Sequence, residues 1–168
     1  MEARKFSMPQ PPAFELSLRI RHPSIDPVEL SRELGMQAKH SFRAGEPRKS
    51  RSRHTTASVH GESYWLGTLD PTSSPAAQWL SGFANMELAQ KAHDKTVTRS
   101  LGWAISFHAA RFLRANAALL ERIRNEGGQV SLLVAMSPAA EESFSLAPEV
   151  SRILSDLGVT IEFQLTSD

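Results

Sequence analysis

Hydrophobic and polar residues alternate with a period of two near both ends of the chain. Apolar side chains occupy every second position at 14–20 and again at 159–165, with charged or polar side chains between them. This period is typical of a strand that has one face in the core and one face in water. We therefore predict strands over residues 13–21 and 159–166. Because each has a polar face, one side of the sheet should be at least partly open to water.

Two further segments have the composition of strands. Residues 63–70 (SYWLGTLD) combine aromatic and aliphatic side chains and are followed by a proline that ends the run. Residues 129–137 contain VSLLVAMS, which is apolar at successive positions. Such a run is typical of a strand with both faces covered, so we predict an interior place in the sheet for it.

Residues 26–35 carry the signals that begin and end a short helix. Asp26 can cap the N-terminus, Pro27 suits the first helical position, and Gly35 supplies the left-handed residue that ends it. Ile25 and Leu30 have the spacing of a hydrophobic staple. The local sequence therefore predicts both ends of this helix.

Helical spacing continues through the middle of the chain, over residues 75–126, and ends at two consecutive glycines. Asn116 is placed to cap a second helix where the long one can break in two. An apolar stripe between Leu146 and Leu157 predicts a last helix, which ends at Gly158.

Both ends of the chain thus follow the same order: strand, helix, Leu-Gly, then an apolar residue. We predict an α+β fold, a two-layer sandwich with about four main strands in two strand–helix–strand halves joined by a helical middle. The helices should cover one face of the sheet. A length of 168 residues suits a single domain, with residues 1–12 as a flexible N-terminus.

Composition excludes several classes of protein. The chain has no cysteine, so it can hold neither a disulfide framework nor a thiolate metal site. No apolar stretch approaches the roughly 18 residues that span a bilayer. The first residues, with several prolines and charges, lack the apolar run of a signal peptide, so we expect a cytoplasmic protein with no membrane partner.

Charge is distributed unevenly although the formal net charge is only +1. Residues 1–60 hold 11 Lys and Arg against 6 Asp and Glu, and much of the excess lies in the run 43–54 (RAGEPRKSRSRH). This run has no apolar periodicity. We therefore predict a basic, solvated loop over residues 43–62.

Several of these features, taken in order, resemble a bacterial family, the domain-of-unknown-function family numbered 4279. The residues that carry the resemblance are the LSLRI strand, Asp26-Pro27-x-x-Leu30-Ser31-x-x-Leu34-Gly35, Ser41-Phe42-Arg43-Ala44-Gly45 with Pro47-Arg48, and Trp65. The resemblance covers nearly the whole chain. The segment 74–100 is longer than the corresponding segment usual in the family, so we interpret it as an insertion. It implies a compact bacterial cytoplasmic domain and no established activity.

No catalytic constellation is found, so neither a catalytic residue nor a cofactor is predicted. The chain has no G-x-S-x-G elbow and no glycine-rich phosphate loop. His60 and Glu62, with either His54 or His40 as a third ligand, could hold zinc or ferrous iron. The alternative is a set of surface histidines in a polar loop, and our expectation is that no metal is bound.

The basic run is the strongest candidate for recognition. Its cations can neutralise phosphates, or the run can be a solvated loop that lies across the acidic half of the chain. Trp65 can be either a core residue or a surface anchor. The candidate binding residues are His40, Phe42, Arg43, Arg48, Arg51, Arg53 and Trp65.

These observations favour a non-enzymatic protein-binding module, with an immunity-type antagonist as one form of it. Its partner would be another protein, or a second copy joined by strand pairing or by docking of the sheet. An anion- or nucleic-acid-binding domain acting through the basic loop is the alternative. A metal-dependent enzyme using His54, His60 and Glu62 is a second alternative.

Overall fold

The computed structural model of the chain describes residues 14–48, 58–69, 101–136 and 146–165. Within these ranges it contains five strands, β1 (Phe14–His22), β2 (His40–Phe42), β3 (Ser63–Thr68), β4 (Gln129–Met136) and β5 (Val159–Leu165). The helices of the same ranges are α1 (Pro27–Leu34), α2 (Leu101–His108), α3 (Ala117–Asn125) and α4 (Pro148–Asp156). The predicted flexible N-terminus and the predicted insertion at 74–100 lie outside the described residues.

The five strands form one mixed sheet in the order β2-β3-β1-β4-β5. β1 is antiparallel to both β3 and β4, β2 is antiparallel to β3, and β4 is parallel to β5. It follows that β1 and β2 run parallel with β3 inserted between them. The two predicted strand–helix–strand halves are therefore β1-α1-β2, which is split by β3, and β4-α4-β5, whose strands are neighbours.

The hydrophobic core lies between the sheet and the helices, and it confirms the alternation predicted for β1. Leu16, Leu18 and Ile20 are buried, and Ile20 lies between Trp65 of β3 and Val130 of β4 in the register. The helices α1, α2, α3 and α4 contact β3, β1, β4 and β5 respectively. The fold is thus the predicted α+β architecture, with helices as one layer and the sheet as the other.

The predicted ends of α1 are confirmed in detail. The Asp26 carboxylate accepts a hydrogen bond from the backbone N–H of Val28 at 2.9 Å, and Gly35 ends the helix at φ 63°. The approach to the helix is fixed by His22, whose Nδ1 accepts from the N–H groups of Ser24 (3.0 Å) and Ile25 (2.8 Å). The buried imidazole therefore satisfies two backbone donors in a loop too short to pair them otherwise.

The long helix of the middle breaks near the predicted residue, but not by the predicted chemistry. α2 continues into a π-helical turn at Ala109–Leu113, and α3 begins directly after Asn116. The Asn116 side chain makes no N-cap hydrogen bond; its Nδ2 instead donates to the carbonyl of Phe112 at 2.9 Å. Asn116 therefore occupies the predicted N-cap position of α3, but its side chain closes the preceding turn instead of capping the helix.

The described ends of the predicted solvated loop at 43–62 are ordered, and most of their residues are exposed. Pro47 and Val59 form a β-bridge in the same register as the β2–β3 pairing. Residues 45–48 and 58–60, which we call the ribbon, are joined by backbone hydrogen bonds of 2.7–2.9 Å. Backbone hydrogen bonds between two separated stretches of the chain order the ribbon. They need no apolar periodicity, so the sequence pattern did not indicate this pairing.

Candidate functional site: the open face of the sheet

The side of the sheet opposite the core is the candidate functional site, and we call it the open face. In the register it is built from the residues that alternate with the buried ones, and in the described part of the chain the helices pack on the other side. Its central residues are Arg19 and Arg21 of β1, His40 and Phe42 of β2, Tyr64 and Leu66 of β3, Ser131 and Leu133 of β4, and Glu162 of β5. The partly open side predicted from the sequence is this face.

Four rings on the open face form an aromatic cluster: His40, Phe42, His60 and Tyr64. Phe42 is stacked between His60, at a centroid distance of 3.6 Å, and Tyr64, at 5.1 Å. His40 meets Phe42 and Tyr64 at 5.8 and 5.7 Å. The rings are exposed or half-buried, so the cluster is an ordered aromatic surface in contact with solvent.

The register of β2 and β3 assembles this cluster. Phe42 lies opposite Tyr64 on the two antiparallel strands, and His40 lies two residues before Phe42, on the same face. The ribbon then carries His60 back over Phe42, because His60 N–H donates to the Glu46 carbonyl at 2.9 Å. Sheet and ribbon together therefore fix the stack.

Arginines beside the aromatic cluster are held by acidic side chains. Arg19 bonds to Glu162 and, through Nε, to the Ser131 hydroxyl at 3.2 Å, so it reaches across β4 to β5. Arg21 lies opposite Tyr64 and bonds through Nε to Glu62 at 2.8 Å. The positive charge of both guanidinium groups is thus balanced within the face.

The ionisation of the acidic groups follows from these contacts. Burial raises the pKa of the Tyr64 hydroxyl, and the charges of Arg19 and Arg21 oppose that rise. For Glu162, burial acts to raise the pKa, but hydrogen bonds from Ser131 and Arg19 outweigh it, so the pKa is lowered. Tyr64 therefore presents a protonated hydroxyl, and Glu162 a carboxylate, at neutral pH.

The structure separates the predicted binding residues into different environments. His40 and Phe42 lie in the aromatic cluster, whereas Arg43 bonds to the carboxylate of Asp26 at the start of α1. The backbone hydrogen bond from Val28 and the Arg43 side chain lower the pKa of Asp26. Arg48 lies in the ribbon and is exposed. Arg51 and Arg53 lie outside the described residues.

Trp65 belongs to the core, which settles the two interpretations of this residue. Its side chain is 0% exposed, and its indole N–H donates to the Ser31 hydroxyl of α1 at 2.8 Å. The ring passes over Gly67, where an added Cβ would lie 2.3 Å from the ring carbon Cη2. Trp65 therefore joins α1 to β3, and a ligand at the surface has no access to it.

Of the candidate metal ligands in the sequence, those that the structure describes make other contacts. His60 is stacked on Phe42, and Glu62 is bonded to Arg21. Among the described residues no group of three His, Asp or Glu side chains could hold a metal ion. His54 lies outside these residues.

Every helix in the described segments is too short or too polar to span a lipid bilayer.

The open face also contains residues that sequence reasoning did not select. Tyr64, beside Trp65, has no role in the sequence-based predictions, and His60 appears in them only as a metal ligand. The alternation within β3 could have indicated Tyr64, because it must point away from the face that holds Trp65. The place of His60 depends on the ribbon, and no local pattern indicates that pairing.

Comparison of the chain with protein-family models, with curated proteins and with solved structures found no match. The functional hypothesis therefore depends on the residues of the open face. These combine an ordered aromatic surface with arginines whose charge is balanced nearby.

Proposed function

We propose that this protein is a non-enzymatic protein-binding module whose partner binds the open face. The observation that carries the proposal is the aromatic cluster beside Arg19 and Arg21. Aromatic side chains and arginine are the residue types enriched at protein interfaces, where they supply most of the binding energy. A sheet face with both types at its centre has the composition of such an interface.

The balance of charge favours a protein over a nucleic acid as the partner. Binding to phosphates gains its strength from cations that release counterions. Arg19, Arg21 and Lys39 each have an acidic partner already, in Glu162, Glu62 and Glu15. A phosphate would have to displace those carboxylates, whereas a protein surface with its own mixed charges can match the face as it is.

The immunity-type form of this proposal concerns the identity of the partner. An antagonist of this kind would bind a toxin tightly and act by covering it, so no chemistry is required of its own residues. A gene for a toxin beside the gene for this protein would favour that form. Binding at the open face does not depend on this identity.

The proposal is tested by affinity capture with matched surface variants. Wild-type protein is compared with Phe42→Thr and Tyr64→Thr, which keep strand propensity but remove the rings. The control is Val28→Thr, at an exposed position on α1. We expect the wild type and Val28→Thr to capture the same partner protein. Both open-face variants should bind that protein at least tenfold more weakly. Equal retention by all four proteins would contradict the open face as the binding site.

The alternatives give different results in two companion measurements. A domain that binds nucleic acid through the basic run would retain random oligonucleotides at low salt, with an affinity that falls steeply as salt rises. A metal-dependent enzyme would turn over substrates from a hydrolase panel, and His60→Ala would abolish that turnover. Either result would replace the proposed function.

A further inference from the structure

Two histidines, His40 and His60, belong to the aromatic cluster that carries the proposed function. His60 is stacked on Phe42 at 3.6 Å, with 20° between the ring planes, and His40 meets Phe42 edge to face at 5.8 Å. Histidine is the residue type whose side chain ordinarily changes charge between about pH 5 and pH 8. The charge at the centre of the open face is therefore expected to depend on pH within that range.

The other charges described on the open face balance one another and stay ionised in most of that range. Arginine and lysine keep their charge above about pH 8, and glutamate is ordinarily ionised above about pH 5.5. Three ion pairs join Arg19 to Glu162, Arg21 to Glu62 and Lys39 to Glu15. Three cations and three anions give these pairs a net charge of zero, so two protonated imidazoles would raise it to +2.

No carboxylate of the described residues forms an ion pair with either imidazole. Glu15 and Glu62 belong to the pairs above, and the hydrogen bonds between Glu46 and His60 are formed by backbone groups. A protonated ring on this face is therefore stabilised by solvent rather than by an ion pair. The titratable and charged side chains on the elements around the two rings are Arg21 of β1, Lys39 before β2, Glu46 and Arg48 of the ribbon, Glu62 before β3 and Tyr64 in it.

We propose that the partner binds the open face only when His40 and His60 are neutral, so that acidification releases it. This inference rests on the proposed function and adds its regulation. A partner that covers the aromatic cluster takes water away from both rings, and burial disfavours the charged form of histidine. The centre of a protein interface is depleted of charged residues for the same reason. Neutral imidazoles, in contrast, can be covered together with Phe42 and Tyr64 as parts of one aromatic surface.

Proton linkage sets the size of the effect. Each imidazole that must lose a proton for binding weakens the apparent affinity by up to about tenfold per pH unit, at pH values below its titration. Two imidazoles together give up to about a hundredfold per pH unit. The slope of the logarithm of the dissociation constant against pH therefore counts the protons, whatever the affinity at neutral pH.

The slope is measured with the protein that the wild type captures at about pH 7.5, titrated between about pH 8 and pH 5.5. At the acidic end of this range the wild type should bind that protein at least tenfold more weakly. His40→Gln and His60→Gln should each reduce the slope by about half, and the double variant should abolish it. Val28→His, which adds an imidazole at an exposed position of α1, is the control and should keep the wild-type slope. Circular dichroism at each pH checks that every variant stays folded.

Calorimetry of the wild type counts the same protons without any substitution. Binding at about pH 6, measured in buffers of different ionisation enthalpy, should release protons, and binding at about pH 8 should release almost none. Proton uptake at the lower pH, an affinity that does not change with pH, or a wild-type slope in the double variant would overturn this inference and leave the proposed function standing. Absence of a captured protein at about pH 7.5, or capture that Phe42→Thr and Tyr64→Thr do not weaken, would contradict the proposed function itself and this inference with it.

Discussion

At the scale of single residues, the sharpest constraint is the space shared by Trp65 and Gly67. Both lie on the buried side of β3, and the tryptophan ring occupies the volume that a side chain at 67 would need. An added Cβ would lie 2.3–3.0 Å from three ring carbons of Trp65. The ring cannot simply turn away, because its N–H is bonded to Ser31 of α1. Gly67 is therefore required by packing.

Gly67→Ala should destabilise the protein by about 1–3 kcal/mol, the usual cost of overpacking a well-filled core. The matched control is Gly61→Ala, because nothing lies within 4 Å of a Cβ added at that position. Its effect should stay within about 0.5 kcal/mol, as for ordinary surface changes. Chemical denaturation measures both variants. Equal stabilities of the two would contradict the packing described for Trp65.

The role of a residue could be predicted where it depends on neighbours in the sequence, and not where it depends on residues far away in the chain. The core position of Leu18 follows from alternation alone, whereas the hydrogen bond from Trp65 to Ser31 joins residues 34 positions apart. The stacking of His60 on Phe42 also requires the pairing of two separated segments. Such contacts are set by tertiary structure, which periodicity does not report.

At the scale of elements, α1 was predicted at both ends because its signals lie within ten residues of one another. β2 and the ribbon were not predicted, because three residues are too few to show a period and their partners come from residues 58–66. Arg43 connects these two parts of the molecule, since it bonds to the carboxylate that caps α1. Asp26 therefore serves the helix and the base of the ribbon together.

Variants of Asp26 separate these two roles. Asp26→Asn keeps a side-chain oxygen for the N–H of Val28 but removes the charge that Arg43 meets, and Asp26→Ala removes both. We expect the melting temperature to be highest for the wild type, lower for Asp26→Asn and lowest for Asp26→Ala.

A double-mutant cycle checks the assignment. Arg43→Ala should lower the melting temperature of the wild type but not that of Asp26→Asn, because the pair is already broken there. Equal effects in both backgrounds would show that Arg43 acts independently of Asp26.

At the scale of the whole molecule, the open face is a network that ties strands together across the sheet. Arg19 of β1 bonds to Ser131 of β4 and to Glu162 of β5, so three strands share one ion pair and its hydrogen bonds. Its acidic member is more acidic in the folded protein than in the unfolded chain, since the pKa of Glu162 is lowered. The free energy of unfolding therefore depends on pH through this network.

The sign of that dependence follows from linkage. A lowered folded-state pKa means that the unfolded chain binds protons more readily, so the stabilisation by Glu162 is complete above pH 4.5, its ordinary value. It is lost as the pH falls through the lower folded-state pKa. Stability measured between pH 7 and pH 3 should therefore fall less steeply for Glu162→Gln and for Arg19→Met than for the wild type. Unchanged slopes in both variants would contradict the role of this pair.

The place of β1 between β3 and β4 has a consequence for synthesis of the chain. β1 is made first, but the Arg19 and Ser131 side chains that bond across the β1–β4 pair are 112 residues apart. At about 5–20 residues per second, a ribosome needs roughly 6–22 s to bridge that interval. Leu16, Leu18 and Ile20 must wait for that time without their β4 neighbours. Among the described strands, β1, at the centre of the finished sheet, is therefore the one that stays longest exposed to mispairing during synthesis.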